Sequence, residues 1–335
     1  MKKSTFIFLI VNLLMCSGIW AQSSPASGFE KTRMQEHINF EGWPNCIKLS
    51  NGKVELIVTT DIGPRIIYFG YVNGQNIFYV SPVDKGKAGG NEWHLYGGHR
   101  LWLAPEVAPL SYSPDNTQVK YEWDGKSLKL TQDEEQATSI VKEIEITMSG
   151  DKNEVEVLHR IINKSCWSVE LSPWSISACA TGGRAIVPQE PYIAPTEFLL
   201  PIRPIVLWAY TKMTDPRYIW GDKFIQAKQD QTIASETKFG VLNKQKWVAF
   251  YLNKILFVKT FNYNSKAVYP DYGCNNEIYI CGDFLEIETL GPLTKIAPQE
   301  AIEHIEIWRL AKTETITEDN EELIELLIKP VLNSL

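Results

Sequence analysis

VELIVT at residues 54–59 runs into a turn, Asp61-Ile-Gly-Pro64, and RIIYFGYV follows at 65–72. Asn73-Gly74 comes next, a type I′ hairpin signal, and NIFYV returns at 76–80. β-Branched and aromatic residues set this densely between turn formers read as strands. The pattern recurs along the chain. Strand-like runs occupy residues 120–123, 127–131, 140–148, 154–162 and 168–177, then 247–253, 255–261, 277–280, 284–289 and 302–310. No helical patterns separate them, which predicts antiparallel sheets packed on each other. A turn- and proline-rich passage begins at Thr181 and leads through Trp208 and Tyr210 toward Trp220. Only residues 319–328 have helical spacing, with Asp319 and Glu322 placed as a capping box and Pro330 as terminator. The expectation is an all-β fold with one C-terminal helix, and residues 22–335 read as one domain.

Composition agrees. The 335 residues include 18 Pro, 21 Gly, 11 Trp, 14 Tyr and 13 Phe, with 44% hydrophobic and 22% charged. That length can bury a substantial core. A formal charge of −7 argues against nucleic acid as a partner, because phosphate neutralisation needs a basic face.

Lys2 and Lys3 precede an apolar run at residues 6–15, and Ala21 closes the segment. The run is about half of the ~20 residues that a membrane span needs. A cleaved export signal over residues 1–21 is therefore expected, with a periplasmic or secreted product and no transmembrane segment. Cys16 follows the bulky Met15, which argues against lipid anchoring there. Cys46, Cys166, Cys179, Cys274 and Cys281 remain, an odd set that leaves at least one thiol unpaired. Cys274 and Cys281 flank a short segment and could bridge a hairpin. The spacings make no zinc site, and neither metal nor other cofactor is expected.

Two constellations carry polar chemistry. In Gly97-Gly-His99-Arg100-Leu-Trp102-Leu-Ala-Pro-Glu106, strand alternation puts Arg100 and Trp102 on one face, with Leu101 and Leu103 toward the core. Paired glycines ahead of it permit close backbone approach. An arginine beside an indole, with Glu106 nearby, suits a sugar: the ring stacks on the indole while charged groups bind hydroxyls. The alternative is a surface Arg–Glu pair over a packing tryptophan. His99 has the parity of Leu101, so it is either a buried, hydrogen-bonded histidine or a catalytic one.

The second constellation is CGDFLEIETLGP at residues 281–292. Leu285 and Ile287 share one face, and Phe284, Glu286 and Glu288 the other. The two glutamates lie about 6.5–7 Å apart at the backbone. Mutual repulsion with partial burial would raise one pKa and make that group a proton donor or acceptor. A solvated strand face is the alternative. Asp271 and Glu277 approach in YPDYGCNNE at residues 269–277. Lys259 has the parity of Phe257 and Phe261, so it projects from a concave surface or sits at an edge.

The run Leu285-Glu-Ile-Glu288-Thr289, the turn at Pro298-Gln-Glu300 and the strand His304-Ile-Glu-Ile-Trp308 resemble the closing segment of the galactose mutarotase-like superfamily. Resemblance extends through residues 97–102, through Asn163 and Trp174-Ser175, and through residues 269–277. More narrowly, the chain resembles an exported branch common in Bacteroidota, the DUF4380-type proteins. The likeness implies an antiparallel β-supersandwich and aldose mutarotase or epimerase chemistry on a sugar ring. It places the family's general base at Glu288, with Glu286 as a possible substitute. The family's general-acid histidine, in a His-x-Tyr-Phe-Asn motif, has no counterpart in Leu171-Ser-Pro-Trp174-Ser-Ile-Ser. His94, His99, a tyrosine or a carboxylate would then supply the acid.

Two functions compete. One is an enzyme with Glu288, Glu286 and His99 as catalytic groups. The other is a non-catalytic protein that binds a sugar or oligosaccharide. In both, Arg100, Trp102, Glu106, Trp174, Lys259, Asp271 and Glu277 contact the ligand, and all ten residues but His99 line one concave face. A glycoside hydrolase or lyase accessory role would need a further catalytic group.

Overall fold

Alternation along each strand sets the layers. In Ile140–Met148, for example, Ile140, Ile144, Ile146 and Met148 are buried, while Glu143 and Glu145 are half-buried. The computed structural model describes residues 32–333 apart from 109 and 319. The expected export signal, Cys16 and Asp319 lie outside the described residues.

Two antiparallel sheets face each other. The first, 11-stranded, runs in the order Arg33–Phe40, Trp43–Ser50, Val54–Thr59, Arg65–Tyr71, His99–Ala104, Val169–Cys179, Leu285–Leu290, Asn276–Ile280, Thr237–Val241 and Ile205–Leu207. Thr294–Ile296 pairs with the start of Val169–Cys179. The second, 10-stranded, begins with Tyr218–Trp220, Phe224–Lys228 and Arg184–Pro188. It continues through Trp247–Leu252, Ile255–Phe261, Ala301–Lys312, Glu154–Asn163, Ile140–Met148, Ser127–Thr131 and Lys120–Trp123. The core between them takes Leu56, Phe69, Leu101 and Ile287 from one sheet, and Val157, Phe250, Phe257 and Leu310 from the other. Trp308 is fully buried at its centre, with Phe69, Phe78 and Phe257 each 5.6 Å away between ring centroids.

Gly97 and Gly98 set the entry to His99–Ala104. Both have positive φ, and a Cβ would come within 2.2 Å of the Tyr79 carbonyl at Gly97 and 2.3 Å of the Ile66 carbonyl at Gly98.

Several local expectations need correction. Residues 76–80 return along Arg65–Tyr71 but form no regular strand. The Asn76 side chain takes the ladder's place, donating to the Ile67 carbonyl and accepting from Phe69 N–H. Gly74 lacks the positive φ that a type I′ turn needs. The passage from Thr181 is not all turn, because Arg184–Pro188 and Ile205–Leu207 are strands. The C-terminal helix spans Glu321–Leu332 and is capped by Asn320, whose side chain accepts from Leu323 N–H. Pro330 lies inside it, since in the last turn it removes only one backbone donor. Ile324 and Ile328 anchor that helix on Phe224, Trp247 and Leu256, on the outer face of the second sheet. Cys274 and Cys281 are unbonded. They stand at opposite ends of the extended Asn276–Ile280, roughly 20 Å apart at strand rise and far beyond disulfide reach.

Lys259 faces the core, not a concave surface. Its parity partners Phe257 and Phe261 are core residues, so the face they share is the internal one. Its ammonium sits 2.8 Å from Glu306, and both side chains are fully buried. Glu306 also accepts from Ser175 at 2.5 Å, Thr289 at 2.6 Å and Trp308 Nε1 at 2.7 Å. Burial alone would raise the Glu306 pKa, but Lys259 together with His99, His159 and His304 outweighs it and holds the carboxyl well below its usual range. His99 joins this internal network, as its parity with Leu101 allows. His159 Nδ1 donates to the His304 carbonyl, so its Nε2 accepts from His99 Nε2–H at 2.6 Å, and His99 Nδ1 accepts from Ser177 at 2.8 Å. Burial pushes the pKa values of both histidines down, which keeps them neutral.

Removing one partner of a buried, hydrogen-bonded ion pair strands the other charge. Lys259→Met should therefore cost about 3–5 kcal/mol in urea unfolding. Lys259→Met combined with Glu306→Leu should recover part of that loss. An unshifted midpoint for the single variant would show that the buried pair does not stabilise the fold.

Candidate functional site

Strand parity sends one set of side chains out of the first sheet on the side away from the core. On His99–Ala104 these are Arg100 and Trp102; on Val169–Cys179, Trp174 and Ile176; on Leu285–Leu290, Glu286 and Glu288. Antiparallel register then aligns them. Arg100 stands opposite Ile176, Ile176 opposite Glu288, and Glu288 opposite Glu277, while Trp102 stands opposite Trp174. Directly opposed residues have Cβ atoms about 4.5–5.5 Å apart, so these side chains form one continuous floor.

Two ion-pair groups occupy that floor. Arg100 Nη1 lies 2.9 Å from Glu286 Oε1, and its guanidinium stacks 4.7 Å from the Trp102 ring. Lys238 Nζ lies 2.8 Å from Glu277 Oε2 and 2.8 Å from Glu288 Oε2. Trp174 Nε1 donates to the same Glu288 oxygen at 2.7 Å. The Lys238 ammonium is held between two indoles, 4.6 Å from Trp174 and 4.7 Å from Trp208. Burial works against its charge, but Glu277 and Glu288 outweigh burial and hold its pKa above the ordinary lysine range. Burial lifts Glu277 well above the carboxylate range; Glu288 and Asp271 add to the rise and Lys238 opposes it. Burial also lifts Glu286, with Glu288 adding to the rise and Arg100 opposing. The floor thus holds three carboxyls side by side, and burial raises the proton affinity of Glu277 and Glu286.

Above the floor opens a groove of about 760 Å³. Arg100, Trp102, Glu106, Trp174, Glu286 and Glu288 line it, as the sequence predicts for one concave face. Glu277 is fully buried behind Lys238. Asp271 reaches Glu277 from its loop without lining the groove, and burial raises its pKa. His99 and Lys259 project from the core side and belong to the internal network. None of the groove-lining residues is a histidine.

The reading of the sequence missed Lys238, Trp208, Tyr112 and Tyr210, all of which line the groove. Lys238 was within reach: in Thr237–Val241 the core residue Phe239 fixes Lys238 on the opposite face, but the strand went unrecognised. The aromatic density around Trp208 and Tyr210 was the signal for the groove wall. Tyr112 lies just past the Arg100 strand, and its hydroxyl donates to Glu106.

No protein-family model matches the chain, and no curated protein matches its sequence. Solved structures do match. A galactose mutarotase-like protein from Lactobacillus casei superposes with TM-score 0.53 at 8% identity, over 79% of this chain and 100% of that one. A candidate aldose 1-epimerase from Klebsiella pneumoniae gives TM-score 0.55 at 9% identity, over 90% and 87%. A TPR-domain containing protein from Parabacteroides distasonis gives TM-score 0.55 at 13% identity over 82% of this chain. The match covers 48% of that protein, so this chain spans about half its length. The fold is galactose mutarotase-like.

Glu277 carries a pH signature. Its folded pKa lies above the 4.5 of a free side chain, so the native state holds a proton that the unfolded chain has released. That contribution is complete below pH 4.5 and is lost as pH rises through the folded value. Glu277→Gln should flatten the decline in urea midpoint from pH 4.5 upward, and an unchanged slope would remove Glu277 as its source.

Proposed function

We propose that this chain is a carbohydrate-active protein that interconverts the anomers of an aldose by acid–base chemistry in the groove. One observation carries the reading: Glu288, fixed by Lys238 and Trp174, stands two residues from Glu286, fixed by Arg100, on the floor of an indole-walled groove. Solved neighbours described as galactose mutarotase-like and as a candidate aldose 1-epimerase support it. The sugar ring stacks on the half-buried indoles of the groove wall, Trp93 or Trp208. Glu288 takes the proton of the anomeric hydroxyl as a C1 carbonyl forms and the bond from C1 to the ring oxygen breaks. Glu286, the carboxyl that burial lifts, protonates the departing ring oxygen. Rotation about C1–C2 and the reverse steps close the ring as the other anomer.

The second reading, a non-catalytic sugar-binding protein, is favoured by the lack of histidine among the groove-lining residues. The proposal extends to export through residues 1–21 and to kinship with the DUF4380-type branch; N-terminal sequencing of protein recovered from the periplasm tests the former.

Anomer interconversion followed by NMR, with calorimetric binding alongside, separates the two readings. Glu288→Gln should lower turnover by about 10²–10⁴-fold while leaving binding nearly intact, because a positioned base acts only in the transition state. Arg100→Ala should instead weaken binding, since its contacts exist in ground and transition states alike. Unchanged turnover in Glu288→Gln would pass the role of base to Glu286. Binding without interconversion in the native protein would leave the binding-protein reading.

A further inference from the structure

We propose that the ligand of this groove is a sugar bearing a free, protonated amine, of the 2-amino-2-deoxyaldose class. The inference deepens the sugar reading above and rests on it. The first observation is that both cations of the floor are already engaged. Arg100 pairs with Glu286, and Lys238 pairs with Glu277 and Glu288. Each already has a carboxyl partner within 2.9 Å, with which an anionic ligand would have to compete.

Three more carboxylates line the groove, Glu106, Glu236 and Asp283, and all are exposed. None forms an ion pair among the described residues. Glu106 accepts from Tyr112 of the aromatic wall, and Glu236 and Asp283 line the same groove. The groove therefore presents uncompensated negative charge around aromatic rings.

Those rings already seat cations. The Lys238 ammonium rests on Trp174 and Trp208, and the Arg100 guanidinium on Trp102, each within 4.7 Å of a ring centre. Ring faces attract an ammonium, and nearby carboxylates strengthen that attraction. A further observation points to a hydroxylated ligand. Arg100 is only 3% exposed, and its Nε is buried without a partner in the wall of the groove. A sugar hydroxyl or ring oxygen would satisfy this donor. A uronic acid would meet like charge, and a neutral hexose would leave the three acids unanswered. An amino sugar meets both demands.

The test is calorimetric titration of the full chain with glucosamine, N-acetylglucosamine, glucose and glucuronate, and with the corresponding galactose series. In one series the free amine should bind about tenfold tighter than its neutral and N-acetyl forms at low ionic strength. That gap should narrow in about 0.5 M salt. Glu236→Gln with Asp283→Asn should bring the ratio toward one, with thermal unfolding showing that the variant is folded. Equal affinity of amine and parent sugar, or tighter uronate binding, would overturn this inference and leave the sugar reading standing. If no sugar of either series binds, the sugar reading fails and this inference with it.

Discussion

The backbone ladder on either side of Val169–Cys179 is the constraint on which the rest depends. This strand pairs along one edge with His99–Ala104 and along the other with Leu285–Leu290. Register in an antiparallel ladder is discrete, and a slip of one residue would turn every side chain to the opposite face. Once Ile176 faces both Arg100 and Glu288, residues far apart in sequence are held at neighbouring positions. The floor of the groove follows from hydrogen bonds between main chains, with the charged side chains then fitted onto it.

The same strands carry a second polar group on their reverse side. Ser175, Ser177 and Thr289 turn inward to Glu306 and His99, while Trp174, Ile176 and Glu288 turn outward. The inner group is dry and closed: Glu306 accepts from four donors, and the histidines pass one hydrogen bond to the next. His99, His159 and Glu306 lie close enough together to hold a cation. The Lys259 ammonium already supplies that positive charge. The outer group has comparable pairing but opens on a groove. Burial of charge is costly unless it is paired; Lys259 meets that cost in the inner group, and Lys238 and Arg100 in the outer. A floor so rigidly cross-bonded is preorganised, so little reorganisation would accompany a ligand's arrival.

Much of this was legible in the chain itself, because side-chain direction in a strand has a period of two. Leu101 and Leu103 oblige Arg100 and Trp102 to share the other face, and Leu285 and Ile287 do the same for Glu286 and Glu288. His99 was legible as a buried histidine for the same reason. Turn chemistry was less secure. Asn73-Gly74 marked a reversal correctly, yet the returning segment is held by the Asn76 side chain and not by a ladder.

Alternation names two faces but not which of them meets solvent. Lys259 shows this: it shares a face with Phe257 and Phe261, and only the opposing sheet makes that face the interior. Lys238 shows the complementary gap. Its contacts with Glu277 and Glu288 arise because Thr237–Val241 is added beyond Asn276–Ile280 in the sheet, a neighbour relation no local pattern encodes. The sequence by itself determined strand character, side-chain parity and the paired glutamates, since these depend on local sterics and on a residue's immediate neighbours. The tertiary structure alone decided which strands adjoin, which face opens into the groove and which lysine serves it, because sheet order is settled by contacts between residues distant in the chain.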